Sequence, residues 1–386
     1  MSETKIIKQQ FQVNFNFDLV FTKNIFDVKN KILMNLLAQT HAKKSKALIV
    51  IDQGVLEFHP KLKESIQTYF DKYESTIQLC GNILELPGGE KVKNNENYIK
   101  HLLEKINEFR IDRHSYVIVI GGGAVIDAVG FAASIAHRGV RLVRIPTTVL
   151  SQNDAAVGVK NGINYFGKKN FVGSFASPFA IINDENFLKT LDDRNWRSGI
   201  SEAIKVALIK DIDFFNWIEK NTKALVSRNI DIMNELIYRC AKMHMDHIRT
   251  SGDPFEQGSS RPLDFGHWSA HKLEQLSEYK ILHGESVAIG IALDSTYSFL
   301  KGHLKENEIK RILDCFLNLG FNISYDQMNE EIISGLEEFR EHLGGELTIM
   351  LLKELGLGFE VHEMDRGLVL KSIDYINQFT SQKIII

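Results

Sequence analysis

Residues 115–136, SYVIVIGGGAVIDAVGFAASIA, read as a strand, a glycine turn and a helix. The apolar, β-rich run Ser115–Ile120 leads into Gly121, Gly122 and Gly123, and a helical pattern follows. Glycines at such a turn remove side chains where a backbone approaches a pyrophosphate. The helix N-terminus adds free N–H groups and a positive dipole end. A left-handed structural turn would use the same triplet, so the loop taken alone leaves both readings open.

Outward from this unit, Lys46–Ile51 (KALIVI), Val140–Ile145 (VRLVRI) and Phe179–Ile182 (FAII) are further strand-like runs, alternating with helical patterns such as Asn94–Phe109. That alternation is the signature of a parallel sheet wound with helices. After Arg194 apolar residues recur at three- and four-residue intervals in Ser198–Ile209, Ile230–Ile248, His267–Leu276 and Ser286–Leu300, with few strand-like alternations. The predicted fold is α/β: a nucleotide-binding α/β domain with a parallel sheet over residues 1–188, then a mostly α-helical metal- and substrate-binding domain over 189–386. The boundary falls near 184–194. With only 6 prolines there is no Pro-rich linker, so the halves are expected to pack around a cleft.

A chain of 386 residues, 44% hydrophobic and 25% charged, reads as globular throughout. Its formal net charge of −3 gives no basic footprint for nucleic acid or an anionic membrane. Lysines and arginines are then expected as local clusters around an anionic small molecule. Met1–Gln10 is polar and lacks the apolar stretch of a signal peptide, and Cys80, Cys240 and Cys315 have no metal-type spacing. A reducing cytoplasm is the simplest compartment.

Other segments supply candidate ligand groups. Asp52 ends a strand in VIDQGV, where a carboxylate can accept ribose hydroxyls or cap a helix, and PGGEKVK at 87–93 adds a glycine turn beside Glu90 and Lys93. The run PTTVLSQNDAAVGVKNGINYFGKKNFVG at 146–173 concentrates Thr147, Thr148, Asp154, Lys160, Lys168, Lys169 and Asn170 among glycines. Flexible backbone with ammonium groups suits closure over phosphate and hydroxyl oxygens. The alternative is a solvated surface loop.

Glu202 in SGISEAIK, His267 in DFGHWSAH and His283 in LHGES form a two-histidine, one-carboxylate set, which suits a divalent metal with coordination positions left open. Glu202 and Lys205 share a helix face at i, i+3, as do His267 and His271 at i, i+4. Each pair alone would be an ordinary helix-surface pair. Together, with His267 after a glycine and His283 before one, they are expected to project from helix starts into the same cleft.

The order GGG-x3-D, PTT-x5-D-x5-K, GKKN, RSG-x2-E-x2-K, GH-x3-H and HGE resembles 3-dehydroquinate synthase and the wider family of sugar phosphate cyclases, over roughly Asp52 to Ala288. The resemblance implies NAD between the two halves, one divalent metal (zinc or cobalt), and a homodimer. It implies metal ligands Glu202, His267 and His283, and substrate or catalytic roles for Asp154, Lys160, Asn170, Lys205 and His271; Arg261 and Asp264, where the chain departs from the family pattern, are further candidates at the substrate end. On the cofactor it implies Gly121, Gly122, Gly123, Asp127, Thr147, Thr148 and Lys169, beside Asp52, Glu90 and Lys93. The implied reaction takes a phosphorylated keto sugar through transient oxidation, loss of phosphate, re-reduction and an aldol ring closure. Its class is a carbon–oxygen lyase without net redox change.

Departures from the family pattern bear on substrate. The family's asparagine in LNxGH is Asp264 here, in RPLDFGH. A basic residue on the upstream helix falls at Asp246, between His244 and His247. The carboxylate-holding arginine falls at Arg261, shifted by one position, and a late lysine pair at Arg340. These changes are expected to penalise a carboxylated seven-carbon substrate and to favour a heptulose phosphate such as sedoheptulose 7-phosphate, used by valiolone-type cyclases. His271 follows the dehydroquinate synthase pattern and points the other way. A more remote alternative is a metal-dependent polyol dehydrogenase of the glycerol dehydrogenase type, against which GKKN and GH-x3-H weigh. A third is an inactive family member that serves as a binding protein.

Overall fold

The computed structural model describes residues 4–38, 44–258 and 260–384. The first three residues of the polar N-terminal stretch lie outside them. In chain order the strands of the first half are β1 (Asp18–Thr22), β2 (Ser45–Asp52), β3 (Ile77–Leu79), β4 (Leu84–Leu86), β5 (Tyr116–Gly121), β6 (Arg141–Pro146), β7 (Lys160–Tyr165), β8 (Lys168–Phe175) and β9 (Ala180–Asp184). Seven of them, among the described residues, form one parallel sheet of order β1-β9-β6-β5-β2-β3, with β4 also on β2. Ile118 of central β5 registers with Ile49 of β2 and Val143 of β6.

The apolar run at 115–120 has no polar partner set because both sheet faces are covered. Ile49, Ile118, Ile120, Val143 and Ile182 pack on one face with Ile66 and Tyr69. Val50, Val117, Val119 and Leu142 pack on the other with Val125, Ile126 and Val129 of α1 (Gly123–Ile135) and with Leu102 and Ile106. The helix expected at 94–109 forms over Glu96–Glu108, capped by Asn95, whose side chain accepts from Asn97 N.

The second half is built around α2 (Ile200–Lys210), α3 (Ile230–Thr250), α4 (His267–Leu276) and α5 (His283–Leu300), within one apolar cluster that includes Ile204, Leu236, Trp268 and Ile291. These match the four helical patterns in the sequence. Two hairpins correct the sequence reading. At 160–175 the expected flexible loop is instead the antiparallel pair β7–β8, and the helical half holds a second hairpin, β10 (Ile349–Glu354) with β11 (Leu357–Val361). Asn161 and Asn164 are buried in β7, which breaks the apolar alternation that marks a strand. The buried run Ile349–Leu352 fits a core helix as well as a strand until Gly356, at φ +85, closes the turn. No helix among the described residues is long and apolar enough to cross a membrane.

Candidate active site

A cleft of about 960 Å³ opens between the sheet's C-terminal edge and the helices α2 to α5. This is where ligands bind in wound parallel sheets. Gly122 caps α1 at φ −76, and none of Gly121, Gly122 and Gly123 is left-handed. The left-handed turn reading therefore falls. A Cβ on Gly121 would meet Asp52 and Val125 within 3.0–3.2 Å, and one on Gly123 would meet Ala155 at 3.0 Å, so these two serve packing. At Gly122 the nearest atom would be Thr148 Cγ2 at 3.6 Å, ordinary contact facing the cleft. The middle glycine alone leaves room for a ligand. Gly121 lies behind the cleft wall, where its carbonyl accepts from Thr147 N.

Asp52 takes both roles that the sequence left open. Its Oδ1 accepts from Gly54 N at 2.9 Å, capping the helix Gln53–Phe58, and the residue also lines the cleft. Burial pushes its carboxyl up, against hydrogen bonds from Gly54 and Gly122. Beside it, Lys93 Nζ donates to Asp127 Oδ2 at 2.8 Å and to Asn170 Oδ1, while Asn164 Nδ2 reaches Glu90 Oε2 at 2.9 Å. The turn at 87–93, the start of α1 and the β7–β8 hairpin are thereby tied together. Thr148 and Ser151 hydrogen-bond side chain to side chain at 2.8 Å, opening the π-helical turn Ser151–Ala155 that presents Asp154.

Arg144 of β6 is fully buried and donates to the carbonyls of Ala156 and Gly158 and to Asn161 Oδ1. It fixes the chain between Asp154 and Lys160. Three hairpin lysines then reach the helical half: Lys160 to Glu256 at 2.6 Å, Lys168 to Glu341 at 2.9 Å, and Lys169 to Glu274 at 2.8 Å.

The three expected metal ligands come together. Ligating atoms of Glu202, His267 and His283 lie within 4.8 Å of one another, with His283 Nε2 and His267 Nε2 at 3.5 and 3.8 Å from Glu202 Oε1. Glu202 is completely buried, and neither of its oxygens accepts a well-directed hydrogen bond, although Lys205 Nζ lies 2.6 Å from Oε2. An orphaned, dry carboxylate oxygen facing two imidazole nitrogens is the donor set a divalent cation requires. Burial alone would push the Glu202 carboxyl up, but Lys205, His283 and His267 hold it well below the usual range. His267 opens α4 directly after Gly266 at φ +79, and its Nδ1 lies 3.1 Å from the Phe265 carbonyl, leaving Nε2 turned toward Glu202.

Lys205 also lies 3.8 Å from Asp154 Oδ1, and His244 Nδ1 lies 2.9 Å from the same oxygen. Burial lowers the basicity of Lys205, yet Asp154 and Glu202 override it and raise the ammonium above its ordinary range. The ring of His271 lines the cleft beside those of His267 and His283, with centroids 5.6 and 6.0 Å away.

The substrate end differs from expectation. Asp264 lines the cleft with no hydrogen-bond or ion-pair partner among the described side chains, while Arg261 binds Glu256. Burial would raise the Asp264 carboxyl, but Lys160, His267 and Lys205 keep it below its ordinary value. Asp246 sits on the outer side of α3, paired with Lys242 and with Arg249. Of that trio His244 faces the cleft, because a two-residue step along a helix turns the side chain to another face. Arg340 is exposed and pairs with Glu337 on its own helix, and His342 lines the cleft in its place.

Sequence reasoning missed Glu274, Glu256, His342, and the Phe187 and Thr190 pair of the cleft wall. Glu274 had a signal, since His267, His271 and Glu274 form an i, i+4, i+7 stripe on α4. Glu256 had none, because only the loop's own folding brings it to Lys160.

Comparison with known proteins agrees with this geometry. Residues 83–198 match the family described as 3-dehydroquinate synthase N-terminal, and residues 199–338 its C-terminal counterpart. The 3-dehydroquinate synthase of Dictyoglomus thermophilum is 33% identical over 309 residues, 79% of this chain and 85% of that one. Among solved structures, ValA, a 2-epi-5-epi-valiolone synthase from Streptomyces hygroscopicus subsp. jinggangensis with NAD+ and Zn2+ bound, superposes with TM-score 0.87 at 26% identity, covering 96% of this chain and 99% of that one. A 2-deoxy-scyllo-inosose synthase complexed with carbaglucose-6-phosphate, NAD+ and Co2+ shares the fold at TM-score 0.76 and 20% identity, over 92% of this chain and 95% of that one. The chain belongs to the 3-dehydroquinate synthase family, among the sugar phosphate cyclases, which are carbon–oxygen lyases.

Proposed function

We propose that the chain converts a seven-carbon keto sugar phosphate lacking a carboxylate, of the sedoheptulose 7-phosphate type, into a carbocycle with release of phosphate. The observation carrying this choice is the unpartnered Asp264 carboxylate in a cleft whose one nearby arginine is already held by Glu256. A substrate hydroxyl can donate to Asp264, whereas a substrate carboxylate would repel it. The likeness to ValA supports the same choice. Dehydroquinate synthesis is the second reading, favoured by the 33% identity to dehydroquinate synthases and by His271.

NAD fits at Gly122, and a divalent zinc or cobalt ion fits at Glu202, His267 and His283. When bound, these groups supply a reversible hydride acceptor and a Lewis acid. Asp52, Glu90, Lys93, Asp127, Thr147, Thr148 and Lys169 surround the nucleotide side, with Gly121 and Gly123 setting the turn. Lys205, braced between Glu202 and Asp154, holds the oxygen where negative charge develops. Lys160 and Asn170 hold the phosphate. His271, whose ring makes no hydrogen bond to a described side chain, removes the proton next to the transient ketone. The division at 188/189 into a nucleotide half and a metal half, a homodimer and a cytoplasmic setting belong to this proposal. Three buried thiols without disulfides support the last.

The test is incubation with NAD, zinc or cobalt, and a panel of sugar phosphates, reading phosphate release and the carbocycle's mass. Release from a heptulose phosphate supports the proposal. Efficient dehydroquinate formation without heptulose turnover overturns the substrate choice, and NADH accumulation on a simple polyol without phosphate release overturns the cyclase.

A further inference from the structure

Two sets of side chains in the cleft could each gather three ligating atoms around a cation, and they share one histidine: Glu202, His267, His283 and His271, Glu274, His283. Both cannot use His283 in the same way. Its Nε2 points to Glu202 Oε1 at 3.5 Å, and its Nδ1 lies 3.2 Å from Glu274 Oε2.

The two carboxylates differ in what they already hold. Glu202 Oε1 is buried without a hydrogen bond. Glu274, whose side chain is only 4% exposed, receives Lys169 Nζ on both oxygens, at 2.8 and 2.9 Å. A divalent ion on Glu274 would have to sit against that ammonium, with little solvent to screen the repulsion. The Lys169 charge therefore closes the second set to a metal, and Glu274 is left with His283 as its other partner.

We propose that Glu274 is the positioning residue of the metal centre. By accepting a hydrogen bond from Nδ1–H of His283, it fixes the tautomer and ring orientation that present the Nε2 lone pair to Glu202 and His267. Lys169 is its counter-charge. Because Lys169 stands on the β7–β8 hairpin and Glu274 on α4, the same link ties the nucleotide side of the cleft to the metal side. This rests on the metal reading above.

Metal affinity and the visible spectrum of the cobalt form test it without any substrate. Zinc and cobalt affinities of the full chain would be measured by chelator competition for the wild type, Glu274→Gln, Glu274→Met and His267→Ala, with melting of each metal-free protein as a control for general damage. Glu274→Met, matched in length but a poor acceptor, is expected to weaken binding by about 10–100-fold. Glu274→Gln, whose amide oxygen can still accept from Nδ1–H, should recover much of that loss, and the cobalt spectrum should shift in the Met variant. Affinities within twofold of wild type in both variants overturn the proposal. Loss as complete as in His267→Ala, with no rescue by Gln, also overturns it, because Glu274 would then be a ligand. If the Met variant does not fold, Glu274→Leu, which also lacks an acceptor, takes its place with the same results supporting or overturning the proposal. A wild-type chain that binds neither ion removes the metal reading itself, a result distinct from the others.

Discussion

The Arg261 guanidinium closes on Glu256: its Nε lies 3.1 Å from Oε2, the oxygen that also receives Lys160 Nζ at 2.6 Å. Further Arg261 donors go to the carbonyls of Glu256 at 2.8 Å, Gly258 at 2.5 Å and Ser260 at 2.9 Å. Most of the guanidinium's capacity is therefore used to fold its own loop. Arg261 remains free of Asp264, and with Asp246 outside the cleft the groups set against a carboxylated substrate are Asp264 and Glu256, which holds the arginine.

Asp264→Asn should accordingly shift preference toward the phosphorylated seven-carbon keto acid. Removing one negative charge from a partly desolvated site is worth on the order of 1 kcal/mol, or about a fivefold change in the ratio of kcat/KM values. Phosphate release on the keto acid and the heptulose phosphate, compared for both proteins, gives that ratio. An unchanged ratio would show that Asp264 does not face the discriminating group.

Gly122→Val should weaken NAD binding strongly while the fold survives. A Cβ there meets no protein atom closer than 3.6 Å, so the side chain starts without a clash and its methyls occupy the space over the helix N-terminus. Calorimetry with NAD and a melting curve separate the two effects. Wild-type affinity would move the pyrophosphate elsewhere.

How far the sequence reached depends on the kind of interaction. The parallel sheet and the long helices were legible because burial on both faces, or along one stripe, leaves a period in the apolar residues themselves. The ligands Glu202, His267 and His283 were legible through motif order. The hairpin β7–β8 was not, because Asn161 and Asn164 are buried through hydrogen bonds that composition does not reveal. Asp246 and His244 show the other limit: one helical step of two residues decides whether a side chain meets Asp154 or solvent, and a gapped motif cannot fix that step.

His267→Ala should release the metal and bring turnover below detection, since two remaining ligands do not hold a divalent ion tightly. The fold should persist, because the sheet and the helical core do not depend on this side chain. Metal content after dialysis, with circular dichroism, tests both halves. Full metal occupancy in the variant would sink the assignment.

Asp294 of α5 gives a prediction about stability and pH. It is fully buried, accepts from Trp268 Nε1 at 2.8 Å and from Gly266 N at 3.1 Å, and so holds the turn from which α4 starts. Burial, stronger than these two hydrogen bonds, pushes its carboxyl up to about 7 from 3.8. The folded protein thus binds this proton more tightly than the unfolded chain does. The contribution is fully present below the unfolded value and is lost as pH rises toward about 7, after which it is flat. Asp294→Asn carries no such titration. At about 1.4 kcal/mol per pH unit, the unfolding free energy of wild type relative to the variant should fall by up to about 4 kcal/mol between pH 4 and pH 7.5. Urea unfolding of the two metal-free proteins across that range measures it, and groups titrating alike in both cancel from the difference. A difference that stays constant with pH would mean that Asp294 is ionised throughout and that its two donors outweigh burial.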